Sequence, residues 1–149
     1  GYTLLEILVV VVILAVMSGF TVLALRGVSE TDRLNEATAR LAALLQVQCE
    51  EALLGTRALR VRVDRTGYRF EVLTHTGWQA HDEDVFRPRA WPLPLSLQLD
   101  VDGSRDAQAI VCLPTGELTP FELHLRSADG SVSSVRATAG GVVERYAGR

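Results

Sequence analysis

An α+β fold, in which a long N-terminal transmembrane helix leads into a small antiparallel β-sandwich head, is predicted by three observations. Of the 149 residues, the 24 from Tyr2 to Leu25 carry one charge, at Glu6. Between Ser29 and Gly55 the apolar side chains recur at spacings of three and four, the period of one helix face. From Leu59 onward short alternating segments are separated by Gly, Pro, Asp and Ser. The length suits one ordinary domain with an appendage. The expected organisation is a transmembrane and assembly helix over 1–28, its amphipathic continuation over 29–55, and a β-rich head over 56–149.

The first element rests on length and polarity. Ile7 to Leu25 reads ILVVVVILAVMSGFTVLAL. A helix rising about 1.5 Å per residue covers roughly 36 Å over the full apolar run, against a hydrocarbon core of about 30 Å. The apolar part of a cleaved secretory signal is shorter, about 7 to 15 residues. Ser18, Gly19 and Thr21 are small or hydroxylated, which lets helices approach closely in lipid. Glu6 lies one turn into the run. A carboxylate deep in a membrane helix costs about 2.5 to 3.5 kcal/mol on insertion scales, so such a residue is expected to face a partner.

Ser29 opens the second element. Ser29, Glu30 and Asp32 supply a capping hydroxyl and acids where a helix N-terminus favours them, and Gly27 just before loosens the connection. The periodic positions Leu34, Ala37, Leu41, Leu44, Leu45, Gln48 and Ala52 make one stripe, and Gly55 is the expected C-terminal cap. Periodicity leaves open whether the two helices are continuous through Gly27.

The head reads as about seven strands. Leu59, Val61 and Val63 alternate with Arg60, Arg62 and Asp64; after a turn at Arg65–Gly67, Tyr68, Phe70 and Val72 alternate with Arg69 and Glu71, which makes a hairpin. Further strands are expected at 95–101, 109–113, 121–126, 131–137 and 142–146. The Trp-, Pro- and acid-rich stretch from Gly77 to Pro94 reads as a long irregular loop.

Composition narrows the function. The 15 basic residues are all Arg and stand against 18 acids, a net charge of -3, which disfavours a protein built to neutralise nucleic-acid phosphates. His75, His81 and His124 show no HExxH spacing and no GxSxG motif occurs, so neither an enzyme nor a metal or cofactor protein is expected. Asp82, Glu83 and Asp84 read as a solvated loop. Asp100, Asp102, Gly103 and Asp106 lack the EF-hand spacing and read as a turn. Cys49 and Cys112 have no zinc-ligand spacing; a disulfide and two buried thiols are both compatible with the sequence. Arg60, Arg62 and Arg69 share one hairpin face, a candidate nucleic-acid surface weighed against a solvated face crossed by Asp64 and Glu71. A rim around Trp78 and Trp91 is a candidate contact surface, with core packing the competing role for at least one of them.

Two segments carry a resemblance to known proteins. GYTLLEILVVVVILAV, from Gly1 to Val16, resembles the processing site and N-terminal helix of type IV pilins and type II secretion pseudopilins, with Tyr2 where Phe or Met is usual. The resemblance implies cleavage by a prepilin peptidase after Gly1, an N-methylated terminus at Tyr2, and an assembly role for Glu6, which neutralises the amine of an incoming subunit. IVCLPTGELTPFELHL, from Ile110 to Leu125, resembles the C-terminal motif of the GspH and FimT minor pilins, followed by a final hairpin whose turns fall at Gly130 and Gly140–Gly141. Together they imply a GspH-type minor pseudopilin. Such a subunit is anchored once in the bacterial inner membrane with its head in the periplasm. It contacts the major pseudopilin and the tip minor pseudopilins at or near the tip of the pseudopilus, takes no cofactor, and helps drive export of folded proteins across the outer membrane. The alternative is a FimT/FimU-like minor pilin of a type IV pilus that binds DNA.

Overall fold

The structure, a computed structural model, describes every residue except Tyr2, Leu25, Arg26, Asp82, Asp106, Ala139, Gly140 and Arg149, and describes 18–24, 147 and 148 as backbone alone. Helix α1 spans Leu4–Ala24 and helix α2 spans Glu30–Gly55. The two helices are not continuous. Ser29 is extended (φ -69°, ψ 159°) and closes a capping box, its Oγ accepting the Asp32 N–H while the Asp32 carboxylate accepts the Ser29 N–H. That exchange satisfies donors that a continuing helix would have used, so α2 starts afresh. Among the described residues no helix is long and apolar enough to cross a membrane, so the expected span is not found there. The described side chains of α1 end at Met17, before the apolar run does, and Ser18, Gly19 and Thr21 fall outside them.

At its far end α2 departs from the expected cap. Gly55 stays helical and Thr56 takes the left-handed conformation (φ 50°), its own N–H and that of Arg57 closing on the carbonyls of Leu53 and Ala52. The buried face of α2 is Leu34, Thr38, Leu41, Ala42, Leu44, Leu45, Gln48 and Ala52, the expected stripe with Thr38 and Ala42 in place of the half-buried Ala37.

Nine strands follow among the described residues, in two antiparallel sheets. β1 (Leu59–Val63) and β2 (Gly67–Thr74) form the expected hairpin, with Arg60 opposite Glu71 and Arg62 opposite Arg69. The stretch expected to be an irregular loop is instead partly paired. β3 (Gly77–Ala80) and β4 (Arg89–Ala90) share the free edge of β2, with a short 3-10 turn at Asp84–Phe86 between them. Gly67 is required at this edge, because a Cβ there would lie 2.1 Å from the Arg89 carbonyl oxygen. β5 (Leu95–Val101) crosses to the second sheet, β6 (Ala109–Cys112) returns to the first beside β1, and β7 (Phe121–Ser127), β8 (Val132–Ala137) and β9 (Val143–Gly148) complete the second in the order β5-β7-β8-β9. Asp102 and Gly103 both have positive φ and make a tight turn, as the sequence indicates, but the strands that flank it belong to different sheets.

Both sheets pack on α2, the first through β1 and β6 and the second through β7, β8 and β9. Leu41, Leu45, Val61, Ile110, Leu123, Leu125 and Val135 meet there with no exposed surface. Two polar ties fix the helix along the second sheet: Thr38 Oγ1 lies 2.9 Å from Ser133 Oγ, and Thr31 Oγ1 lies 2.7 Å from Ser131 Oγ. Toward the other sheet, Cys49 of α2 and Cys112 of β6 form a disulfide with a Cα separation of 5.2 Å. Its neighbour Gln48 is fully buried, and neither atom of its amide has a hydrogen-bond partner among the described residues.

Two stability measurements check this core. The disulfide closes a loop of 63 residues' separation, so Cys49→Ser/Cys112→Ser is expected to lose about 4 kcal/mol of unfolding free energy by the chain-entropy estimate, read by urea titration under oxidising conditions. Gln48→Leu removes an unsatisfied buried amide at similar volume and is expected to gain about 1 to 2 kcal/mol in the same titration.

Candidate assembly surfaces

Helix α1 is the first surface. Its described side chains are all exposed: Leu4 is 85% accessible, Ile7 56%, Leu8 58%, Val11 58% and Ile13 50%. The head core is complete without them, so α1 presents an apolar cylinder to its surroundings. Water is a poor surrounding for it, since covering one such side chain stabilises by about 1.5 to 3 kcal/mol. Glu6 sits in the first turn of α1, where the positive end of the helix dipole favours a carboxylate. Its N–H bonds to the Thr3 carbonyl and lies 3.3 Å from Thr3 Oγ1, which starts the helix. Gly1 is exposed at the chain's beginning, and Tyr2 lies outside the described residues.

The second surface is the outer face of the β1–β2 hairpin. Alternation turns Leu59, Val61 and Val63 inward and Arg60 and Arg62 outward. The register then decides what each arginine meets. Glu71, opposite Arg60, accepts the Arg60 Nε at 2.5 Å and the Arg69 Nε at 3.2 Å, and Arg60 stacks over the Trp78 ring at 4.3 Å. Burial pushes the Glu71 carboxyl up, but the hydrogen bonds from Arg60 and Arg69 outweigh it and hold the group below its ordinary value. The expected cluster of Arg60, Arg62 and Arg69 is therefore divided: Arg60 is tied down beside Trp78. Arg62 and Arg69 stand opposite each other, Arg62 donating to Gln108 Oε1 at 3.0 Å. At the hairpin turn the Asp64 carboxylate accepts from the Thr66 hydroxyl, the Thr66 N–H and the Gly67 N–H, which hold its pKa down.

The two tryptophans do not share a rim. Trp91 is buried against Tyr68, with ring centroids 5.1 Å apart, and donates its Nε1–H to the Asp64 carbonyl, whereas Trp78 is half exposed on the outer face. The reason lies in pairing: β4 delivers Trp91 to the end of β2 where Tyr68 points inward, and β3 places Trp78 opposite Leu73.

Two constellations that the sequence pattern did not reveal are assembled by the fold. The β7–β8 register puts His124 Nδ1 2.8 Å from Ser134 Oγ, with Glu122 3.5 Å from Nε2. Ser134 is 1% exposed, so this hydroxyl has no access to an acyl carbon and the chain ties two strands together instead. A ring nitrogen of His81 and carboxylate oxygens of Glu51 and Glu83 come within 4.8 Å of one another where the end of α2 meets the segment after β3. Asp82, between His81 and Glu83, lies outside the described residues.

A helical N-terminal stalk whose second half carries two antiparallel sheets is the architecture of the pilin class. The solved structures bear this out at the level of fold. The minor pseudopilin EpsH of the Vibrio cholerae type II secretion system superposes with a TM-score of 0.69 at 22% identity, over 81% of this chain and 99% of EpsH. Escherichia coli GspH gives 0.63 at 23%, over 78% and 89%, and the Pseudomonas aeruginosa type IV minor pilin FimU gives 0.58 at 18%, over 80% and 96%. No family model matches the chain. In sequence, it is 32% identical to the type II secretion system protein H of Pseudomonas aeruginosa, over 91% of this chain and 88% of that protein, and 25% identical to its counterpart from Aeromonas hydrophila, over 91% and 85%. The chain belongs to the type II secretion system protein H family, the GspH minor pseudopilins. The secretion reading is thereby favoured over a DNA-binding type IV minor pilin.

Glu71 offers a check on the hairpin face. Because its pKa is lowered on folding, the stability it contributes is fully present above the ordinary glutamate value of 4.5 and is lost as pH falls through the lowered value. Wild type is expected to exceed Glu71→Gln by about 1 to 2 kcal/mol at neutral pH, with the gap closing only below the ordinary value, in urea titrations across pH.

Proposed function

We propose that this chain is a structural subunit at or near the tip of a periplasmic pseudopilus and acts by assembly rather than by catalysis. The single observation that supports the reading most is the exposed apolar surface of α1, which a complete head leaves uncovered. In this reading residues 1–28 form the anchor and packing helix, crossing the inner membrane before assembly. Residues 29–55 then seat the head at 56–149 in the periplasm. Lipid covers the apolar run first, and the stalks of other pseudopilins cover it in the filament. Exchange between lipid and neighbouring stalks is nearly neutral in hydrophobic energy, so close packing and polar contacts select the neighbour.

Glu6 supplies such a contact. A prepilin peptidase cutting after Gly1 leaves a cationic amine at Tyr2, which N-methylation keeps basic. In an apolar bundle that charge is tolerated only when paired, and the carboxylate of Glu6, in the same or an adjacent subunit, pairs with it. Filament growth, powered elsewhere, then carries the head and its neighbours against the cargo.

In cells expressing the rest of the secretion machinery, Glu6→Gln and Glu6→Val are both expected to reduce recovery of the subunit in sheared filaments by about tenfold or more, with normal levels in the membrane fraction. Wild-type recovery of both variants overturns the role of the carboxylate.

A further inference from the structure

The hairpin turn, the middle of β5 and the segment leading into β6 enclose a groove of about 420 Å³. Four arginines line it, Arg62, Arg65, Arg69 and Arg105, together with Gln98 and Gln108. Among the described residues one acid lines it as well, Asp64, and its carboxylate is already engaged by Thr66 and Gly67; Asp106, between the lining residues Arg105 and Ala107, lies outside the described residues. In a chain of net charge -3, this is a local reversal of sign. The reversal has a cost in the free subunit: Arg62 and Arg69 are cross-strand partners, and like charges directly opposite each other destabilise a sheet. Among the described residues, Arg69 is the groove arginine that forms an ion pair, and it shares Glu71 with Arg60; Arg62 donates to a neutral amide and lies near enough to Glu71 to lower its pKa. Arg65 and Arg105 are exposed.

Four guanidinium groups around one concavity match carboxylates, each fork receiving two oxygens in its plane. The other walls narrow the ligand further. The half-buried Leu97 and the edges of the buried Val63 and Leu99 give the lining an apolar part. Nucleic acid fits less well. Among the described residues no aromatic side chain lines the groove to stack a base, the arginines share one pocket instead of tracking a backbone, and the acid-rich remainder repels a long polyanion. We propose that this groove is a binding site for an acidic polypeptide segment of a neighbouring subunit, with two carboxylates flanking an apolar side chain. The inference rests on the assembly reading above and gives the head a contact separate from the stalk.

The test uses the full chain in detergent micelles and a fluorescein-labelled peptide in which acidic residues alternate with leucine, followed by anisotropy. The acidic peptide is expected to bind and to weaken as salt rises, and its Gln-for-Glu counterpart not to bind. Arg65→Glu/Arg105→Glu is expected to lower affinity by about tenfold or more, and the neutral pair Arg65→Gln/Arg105→Gln by less. Arg87→Glu/Arg126→Glu, a reversal of equal charge elsewhere on the head, is expected to leave affinity within about twofold. Equal peptide binding by wild type and the groove variants overturns the proposal, as does a single-stranded oligonucleotide of equal charge that displaces the peptide at lower concentration. Should the peptide fail while Glu6 variants still lose incorporation, the groove assignment falls and the assembly reading stands.

Discussion

One helix face has to satisfy two sheets at once, and the head depends on that requirement. The stripe running from Leu34 to Ala52 is the common wall on which β1 and β6 close from one side and β7, β8 and β9 from the other. Among the described residues neither sheet packs as extensively on any other helix. The helix is accordingly fastened to each by a different chemistry: hydroxyl pairs at Thr31–Ser131 and Thr38–Ser133 toward the second sheet, and the Cys49–Cys112 covalent link toward the first. Gln48 is the one poorly served position on that face, a buried amide in a stripe of hydrocarbon.

Outside the core, the register of the strands sorts the charges. Glu71 gathers Arg60 and Arg69, and Arg136 pairs with Glu144 across β8 and β9 at 2.9 Å. Where the register sets arginine against arginine, at Arg62 and Arg69, the fold adds Arg65 from the turn and Arg105 from a distant loop. The choice of arginine throughout matters here, because a guanidinium holds its charge more firmly than a lysine ammonium when crowded by other cations.

Local patterns made most of the architecture readable, and long-range pairing hid the rest. The capping residues at Ser29–Asp32 and the three-four stripe located α2, and two-residue alternation located the β1–β2 hairpin, because each signal is written in neighbouring residues. β3 and β4 carry no such signal: four and two residues long, set among Trp, Pro and acids, they are strands only because β2 offers them an edge. The Cys49–Cys112 pairing was equally out of reach, since the sequence gives their spacing along the chain and not across the core. Gly55 and Thr56 show the limit of propensity, the glycine remaining helical while a β-branched residue takes the left-handed turn. Alternation puts Arg60 on the outer face of β1, but only the register with Glu71 shows that its charge is already taken; Arg105 has no local signal linking it to the hairpin.

The break at Ser29 has a mechanical consequence. Among the described residues, 27–29 are not helical, so single-bond rotation there can take up twist imposed on the apolar half before it reaches the sheets. The angle between α1 and the head can therefore change without disturbing the packing of the head. Substitutions that retune how the subunit is gripped and substitutions that retune what the head touches can accumulate independently of one another.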